Sequence, residues 1–79
     1  MEKYIRDNKL TIALGLKKLR LSKGWTCEDL ARMSGKEKYY ISNLENRKAN
    51  PHLSNLSQVL GAFGLTMKDF FNYCEDNGL

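Results

Sequence analysis

Two cysteines, one histidine and one proline are scattered through 79 residues, and that scarcity excludes several protein classes. Cys27 and Cys74 can in principle pair, yet one pair does not make the stapled framework of a small secreted domain. The opening residues MEKYIRDNK lack the apolar stretch of a signal peptide, so reduced thiols and a cytoplasmic location are expected. His52 is the sole histidine, and with two cysteines in different segments it makes no metal site. No run of about 18 apolar residues is present, so no membrane span is expected. Glu28 and Asp29 are adjacent carboxylates, but neighbours along a helix do not face each other. There is no nucleophile beside a base and no glycine-rich phosphate loop. No catalytic role, cofactor or small-molecule ligand is expected.

One proline and 42% hydrophobic residues suit a compact globule, and the length suits one domain over residues 1–79. A chain this short buries only roughly 60–65% of the surface it exposes when unfolded. A dimer interface would add to its modest stability.

Charge is unevenly placed. Residues 1–48 hold 12 of the 13 Lys and Arg against six acids, a balance of +6. Residues 49–79 hold Lys68 against Asp69, Glu75 and Asp76, a balance of −2. A positive half beside a mildly acidic one suggests one face for a polyanion and another for something else.

The apolar spacing is helical throughout, with no alternating run long enough for a strand. Ile12, Leu16 and Leu19 form one stripe, which Ile5 extends backwards, so the first helix is expected to begin near Asp7 or before. Gly24 supplies its stop. Thr26 is a cap for a second helix with Glu28 and Asp29 in its first turn and Leu30, Ala31 and Met33 as its apolar side, ending at Gly35. A third helix is expected over about residues 37 to 46. The loop Arg47-Lys48-Ala49-Asn50-Pro51 follows, because the residue before proline avoids the helical region. Leu53, Leu56, Val59, Leu60 and Phe63 mark a fourth helix, with His52 as a candidate cap and Gly64 past its end. Thr66 caps a fifth helix containing Met67, Phe70, Phe71 and Tyr73, and the last five residues are expected to fray.

The third helix is the informative one. At 100° per residue, Tyr40, Ile41, Leu44 and Glu45 fall on one half, while Tyr39, Ser42, Asn43 and Asn46 fall on the other beside Lys38. The outer half is a set of hydrogen-bonding groups with one aromatic and one cation. Such groups read base edges in a DNA major groove.

Residues 12 to 71 resemble the Cro/phage-repressor (XRE) helix-turn-helix family. The likeness is carried by IALGLKKLRLSKGWT (12–26), EDLARMSG (28–35), YISNLENRKANP (40–51), LSNLSQVLGAFGLT (53–66) and DFF (69–71). The resemblance implies an all-α, five-helix, lambda-repressor-like domain with its helix-turn-helix at about 26–46. It implies a structural ion pair between Arg20 and Glu45. It implies base contacts from Lys38, Tyr39, Ser42 and Asn43, and phosphate contacts from Thr26, Cys27, Lys36, Asn46, Arg47 and Lys48. Three positions depart from the family pattern: Cys27 stands where glutamine is usual, Glu37 where Ser or Thr is usual, and Lys36 where an aliphatic residue is usual. Trp25 stands at a usually aliphatic position and is expected in the core.

The region of about 64–75 is expected to form a homodimer. Phe70 is expected to face inward and to leave Phe71 and Tyr73 exposed, with Leu65, Met67, Phe71 and Tyr73 forming an interface. The expected partners are therefore a double-stranded DNA operator and a second copy, with neither membrane nor small molecule. The leading expectation is a small dimeric transcriptional regulator, of repressor or restriction–modification controller type, acting at a pseudo-palindromic operator. The alternatives are an antitoxin that binds a toxin protein and autoregulates its operon, and an interaction module that has lost DNA binding.

Overall fold

A computed structural model of the chain describes residues 8–79. Five helices follow one another: α1 (Asn8–Ser22), α2 (Cys27–Ser34), α3 (Lys38–Glu45), α4 (Leu53–Gly61) and α5 (Met67–Asp76). No strand occurs among the described residues. The expected stripe of α1 is buried, with Ile12, Leu16 and Leu19 joined by Ala13. The extension to Ile5 lies outside the described residues.

Local chemistry starts and stops these helices. Thr26 Oγ1 accepts from the Asp29 N–H at 3.0 Å while Asp29 Oδ2 accepts from the Thr26 N–H at 2.9 Å. Thr66 and Asp69 repeat the reciprocal arrangement at the head of α5, both bonds being 3.1 Å. Each box satisfies donors that a helix start otherwise leaves orphaned. His52 stands at the cap position of α4 but makes no side-chain cap bond, contrary to expectation. An N-cap works through a short side-chain oxygen folded back onto the first turn, and histidine has none. Only its carbonyl takes part, accepting from the Leu56 N–H at 2.8 Å.

The core is one cluster. Leu16, Leu30, Ile41, Val59, Leu60 and Phe70 are fully enclosed, and each of the five helices contributes to it. Trp25 stacks on Phe63 with ring centroids 5.2 Å apart and packs on the edge of this cluster. Helix α5 crosses α1 closely at Gly15, where a Cβ would stand 2.7 Å from Cys74 Sγ and 2.8 Å from Phe70 Cζ. Only glycine lets the two helices meet there.

Three packing expectations fail for physical reasons. Met33 is 53% exposed, because the buried side of the two-turn α2 is Leu30, Ala31 and Ser34, and Met33 lies about 100° off its centre. Leu53 is 75% exposed because it is the first residue of α4, ahead of the turn that packs. The last residues do not fray from the fold. The Leu79 N–H donates to the Cys74 carbonyl at 2.8 Å, and the Leu79 side chain packs on the core. That bond closes the end of α5 and lays an apolar residue over it.

Candidate nucleic-acid interface

Helices α2 and α3, eight residues each, are joined by Gly35, Lys36 and Glu37. Gly35 adopts φ 72°, the left-handed conformation that suits glycine, and both its N–H and that of Lys36 reach the Ala31 carbonyl. The chain thus reverses within three residues. Ile41 and Leu44 then anchor α3 in the core, at 0% and 2% exposure.

Anchoring one side of α3 aims the other outward. Lys38 and Tyr39 are exposed, Tyr39 at 77%, and Ser42 and Asn43 are half-buried beside them. Asn46 is exposed and turns its amide back to Ser42, donating to the carbonyl at 2.9 Å and to Oγ at 3.3 Å. The helix ends in a turn in which the Lys48 N–H donates to the Asn43 carbonyl at 2.7 Å, with Arg47 at φ 63°. All four expected base readers therefore share α3, and Asn46, Arg47 and Lys48 follow directly from its end.

The other side of α3 is locked by charge. Arg20 Nε donates to Glu45 Oε2 at 2.7 Å and Nη2 to Oε1 at 2.9 Å, a side-on pair joining α1 to α3. Its third donor, Nη1, reaches the Trp25 carbonyl at 2.8 Å, just ahead of α2. The Glu45 hydrogen bond raises the Arg20 pKa, so the guanidinium is permanently charged. Cys27 completes the cluster, its thiol donating weakly to Glu45 Oε1 at 3.9 Å. Burial first and Glu45 second push the Cys27 pKa up, keeping a neutral thiol at the start of α2. The charges of Arg20, Lys38 and Lys17 act in the opposite direction, so residues from α1 and α3 bring cations to the start of α2.

Lys36 is engaged within the protein. Its Nζ donates to Asn55 Oδ1 at 2.8 Å and lies 5.5 Å from the centre of the Tyr40 ring. An open concavity of about 460 Å³ lies there, lined by Gly35, Lys36, Glu37, Tyr40, Asn43 and Asn55. Glu37 holds the cap position of α3 without a side-chain cap bond. Burial raises the Tyr40 pKa, and its hydroxyl has no partner among the described residues. Asn55 and Gln58 enter the site without any signal in the apolar pattern, because a polar residue on α4 looks the same whether solvated or bonded to a neighbouring turn. Their spacing of three is the one available hint, since it places them on one helical face.

Leu65, Met67, Phe71 and Tyr73 are half-buried, and each packs against the edge of the core. Phe71 and Tyr73 are therefore not left exposed as expected: the core margin beside Phe70 covers part of each ring. Phe71 meets Phe70 edge-on with centroids 5.3 Å apart. Among the described residues there is no cluster of three metal-ligating side chains, and no helix is long and apolar enough to cross a membrane.

Known proteins share this arrangement. A hypothetical transcription factor of Neisseria meningitidis serogroup B is 33% identical over 60 residues, covering 76% of this chain. The chain spans 57% of the length of that relative. The crystal structure of the hypothetical transcription factor NHTF from Neisseria superposes with a TM-score of 0.76 at 31% identity, covering 81% of this chain and 74% of that one. The restriction-modification controller protein C.Esp1396I superposes with a TM-score of 0.83 at 28% identity, covering 95% of this chain and 96% of that one. The same controller, as a tetramer in complex with its natural 35 base-pair operator, gives 0.82 at 28% identity, covering 91% and 95%. The helix-turn-helix family matches residues 16–70, and with two short helices hinged at Gly35 and an outward third helix locked by Arg20 and Glu45, the chain belongs to that family of transcription regulators.

Proposed function

We infer that this protein is a small dimeric transcriptional regulator that reads a pseudo-palindromic operator in double-stranded DNA. The observation that carries the reading is Tyr39, 77% exposed on a polar helix face whose opposite side is fixed in the core. Lys38, Tyr39, Ser42 and Asn43 are assigned to base edges, where amide, hydroxyl and ammonium groups match the major-groove pattern. Thr26 and Cys27, with the N-terminal amides of α2, and Asn46, Arg47 and Lys48 are assigned to phosphates. Lys36 is left out of that set because Asn55 holds its ammonium. Leu65, Met67, Phe71 and Tyr73 are assigned to a two-fold interface, which would set two copies of α3 about 34 Å apart, one turn of DNA. The controller protein on its operator, at 28% identity, supports a DNA partner of this kind.

A gel shift on the DNA just upstream of the protein's own gene tests the reading. Wild type is expected to shift this duplex and not a random one. Asn43→Ala is expected to lose roughly 1–3 kcal/mol at one base pair and to relax selectivity there. Equal shifts of both duplexes, or an Asn43→Ala variant that ranks operator variants as wild type does, would refute the assignment.

A further inference from the structure

The turn between α2 and α3 is held from outside by one face of α4. Asn55 Oδ1 accepts from Lys36 Nζ at 2.8 Å. One helical turn further along, Gln58 Nε2 donates to the Ser34 carbonyl at 2.8 Å. These two bonds grip the chain on either side of Gly35, whose Cβ position would lie 3.1 Å from the same Gln58 nitrogen. The Ser34 carbonyl is one of the last four of α2, which have no donor within their own helix, and Gln58 supplies it. Lys36 thus holds its ammonium both over the Tyr40 ring, 5.5 Å from its centre, and on the Asn55 amide oxygen.

We propose that Asn55 and Gln58 are positioning residues for sequence reading: through Lys36 and Ser34 they clamp the turn and fix the angle at which α3 is presented to DNA. The proposal rests on the DNA-reading function inferred above. Lys36, on this account, acts through the protein and not through a phosphate. The consequence is a distinct signature. A lost phosphate contact weakens binding to every sequence and flattens the salt dependence, with a slope change of about 0.9 per contact. A loosened α3 loses discrimination while the count of phosphate contacts stays the same.

The probe is a duplex that the wild-type protein selects from a random-sequence pool, measured beside an unselected duplex, below the melting temperature of each variant. Asn55→Ala and Lys36→Met are each expected to lower the preference for the selected duplex about tenfold, the scale of one charge-assisted hydrogen bond. Their combination is expected to be no worse than either alone, because both remove the same bond. Asn55→Asp keeps an oxygen acceptor for Lys36 and is expected to restore the preference. Gln58→Ala is expected to relax selectivity independently. Additive losses in the combined variant, a salt slope reduced by about 0.9 in Lys36→Met, or unaltered preference in Asn55→Ala would each overturn the clamp. A wild type that selects no duplex would overturn the DNA reading itself, and the clamp's role with it.

Discussion

Arg20 and Glu45, 25 positions apart, meet side-on, with two nitrogens of one guanidinium on the two oxygens of one carboxylate at 2.7 and 2.9 Å. Their side chains are 10% and 5% exposed, so water screens the pair little. The Trp25 carbonyl takes a further donor, leaving the guanidinium well satisfied. The pair connects α1, which contributes the most buried apolar residues, to the helix whose polar face points outward. Glu45→Ala strands a charge that has lost its partner, and the expected cost is about 3 kcal/mol, as for other broken buried pairs. Denaturant titration measures it. A loss below roughly 1 kcal/mol, the range of a surface pair, would show that the site is wetter than its geometry implies.

The capping boxes make stability depend on acid. Asp29 is held below the usual carboxylate range first by the Thr26 backbone bond and next by Arg32, and Asp69 by the Thr66 backbone bond. Folded-state values below the unfolded one mean that the folded chain binds protons less readily. The stabilisation is therefore complete above about pH 4, where the unfolded carboxyl titrates, and is lost as pH falls through the folded values. The double variant Asp29→Asn, Asp69→Asn is expected to melt below wild type at pH 7, with the gap narrowing as pH falls below about 4. A gap that stays constant across this range would contradict the assignment.

Gly15 is expected to resist every substitution. An alanine Cβ would meet Cys74 Sγ at 2.7 Å and Phe70 Cζ at 2.8 Å inside a closed core. Overpacking of this kind costs about 1–3 kcal/mol, more than the roughly 1 kcal/mol that alanine gains over glycine in a helix. Gly15→Ala should thus lower the melting temperature, and Cys74→Ala should recover part of the loss by removing the nearer contact. A melting temperature above wild type would mean that α5 shifts freely on α1.

What the sequence discloses and what it hides divide along a physical line. Thr26 and Thr66 act through neighbours three residues away, a relation visible in one dimension. The Arg20–Glu45 pair spans 25 positions and is implied only by the family resemblance. Met33 and Leu53 mislead because a helix of eight or nine residues buries only about two turns, so an apolar residue at its margin satisfies the period and still faces out. Gly15 has no side chain to enter a pattern, and its role emerges only when α5 is laid across α1. Asn55 and Gln58 depend on tertiary hydrogen bonds that composition cannot announce. The outer face of α3 was legible for the opposite reason: the inner face is apolar, and the outer face is what remains.

Arg47 places a cation where the backbone conformation would favour glycine. Its φ of 63° lies in the left-handed region, where a side chain costs roughly 1–2 kcal/mol and glycine almost nothing. The position also follows directly on the outer face of α3, where the proposed DNA contact would favour a cation. Arg47→Gly is expected to change stability little, because glycine relieves the backbone but frees the unfolded chain. It is expected to weaken binding to all duplexes and to lower the salt slope by about 0.9. A folded variant equally tight on DNA, with an unchanged salt slope, would remove Arg47 from the phosphate set.

The dimer is tested at Phe71. Phe70 fills the core with 0% exposure, and adjacent residues on a helix point about 100° apart, so Phe71 cannot share its place. Phe71 instead lies half-buried against the Phe70 edge, together with Leu65, Met67 and Tyr73 on the margin of the core. A second copy closing over this margin by a two-fold axis would complete the burial of all four and pair the recognition helices. Sedimentation at micromolar concentration is expected to give a dimer for wild type and a monomer for Phe71→Glu. Because the new carboxylate also touches the Phe70 edge, Tyr73→Lys provides a second variant at the same margin, and thermal melts at one fixed concentration report whether each chain still folds. A folded monomer that binds a half-site weakly and without cooperativity is the expected outcome for both. A folded Phe71→Glu dimer, or a wild type that sediments as a monomer, would refute the interface.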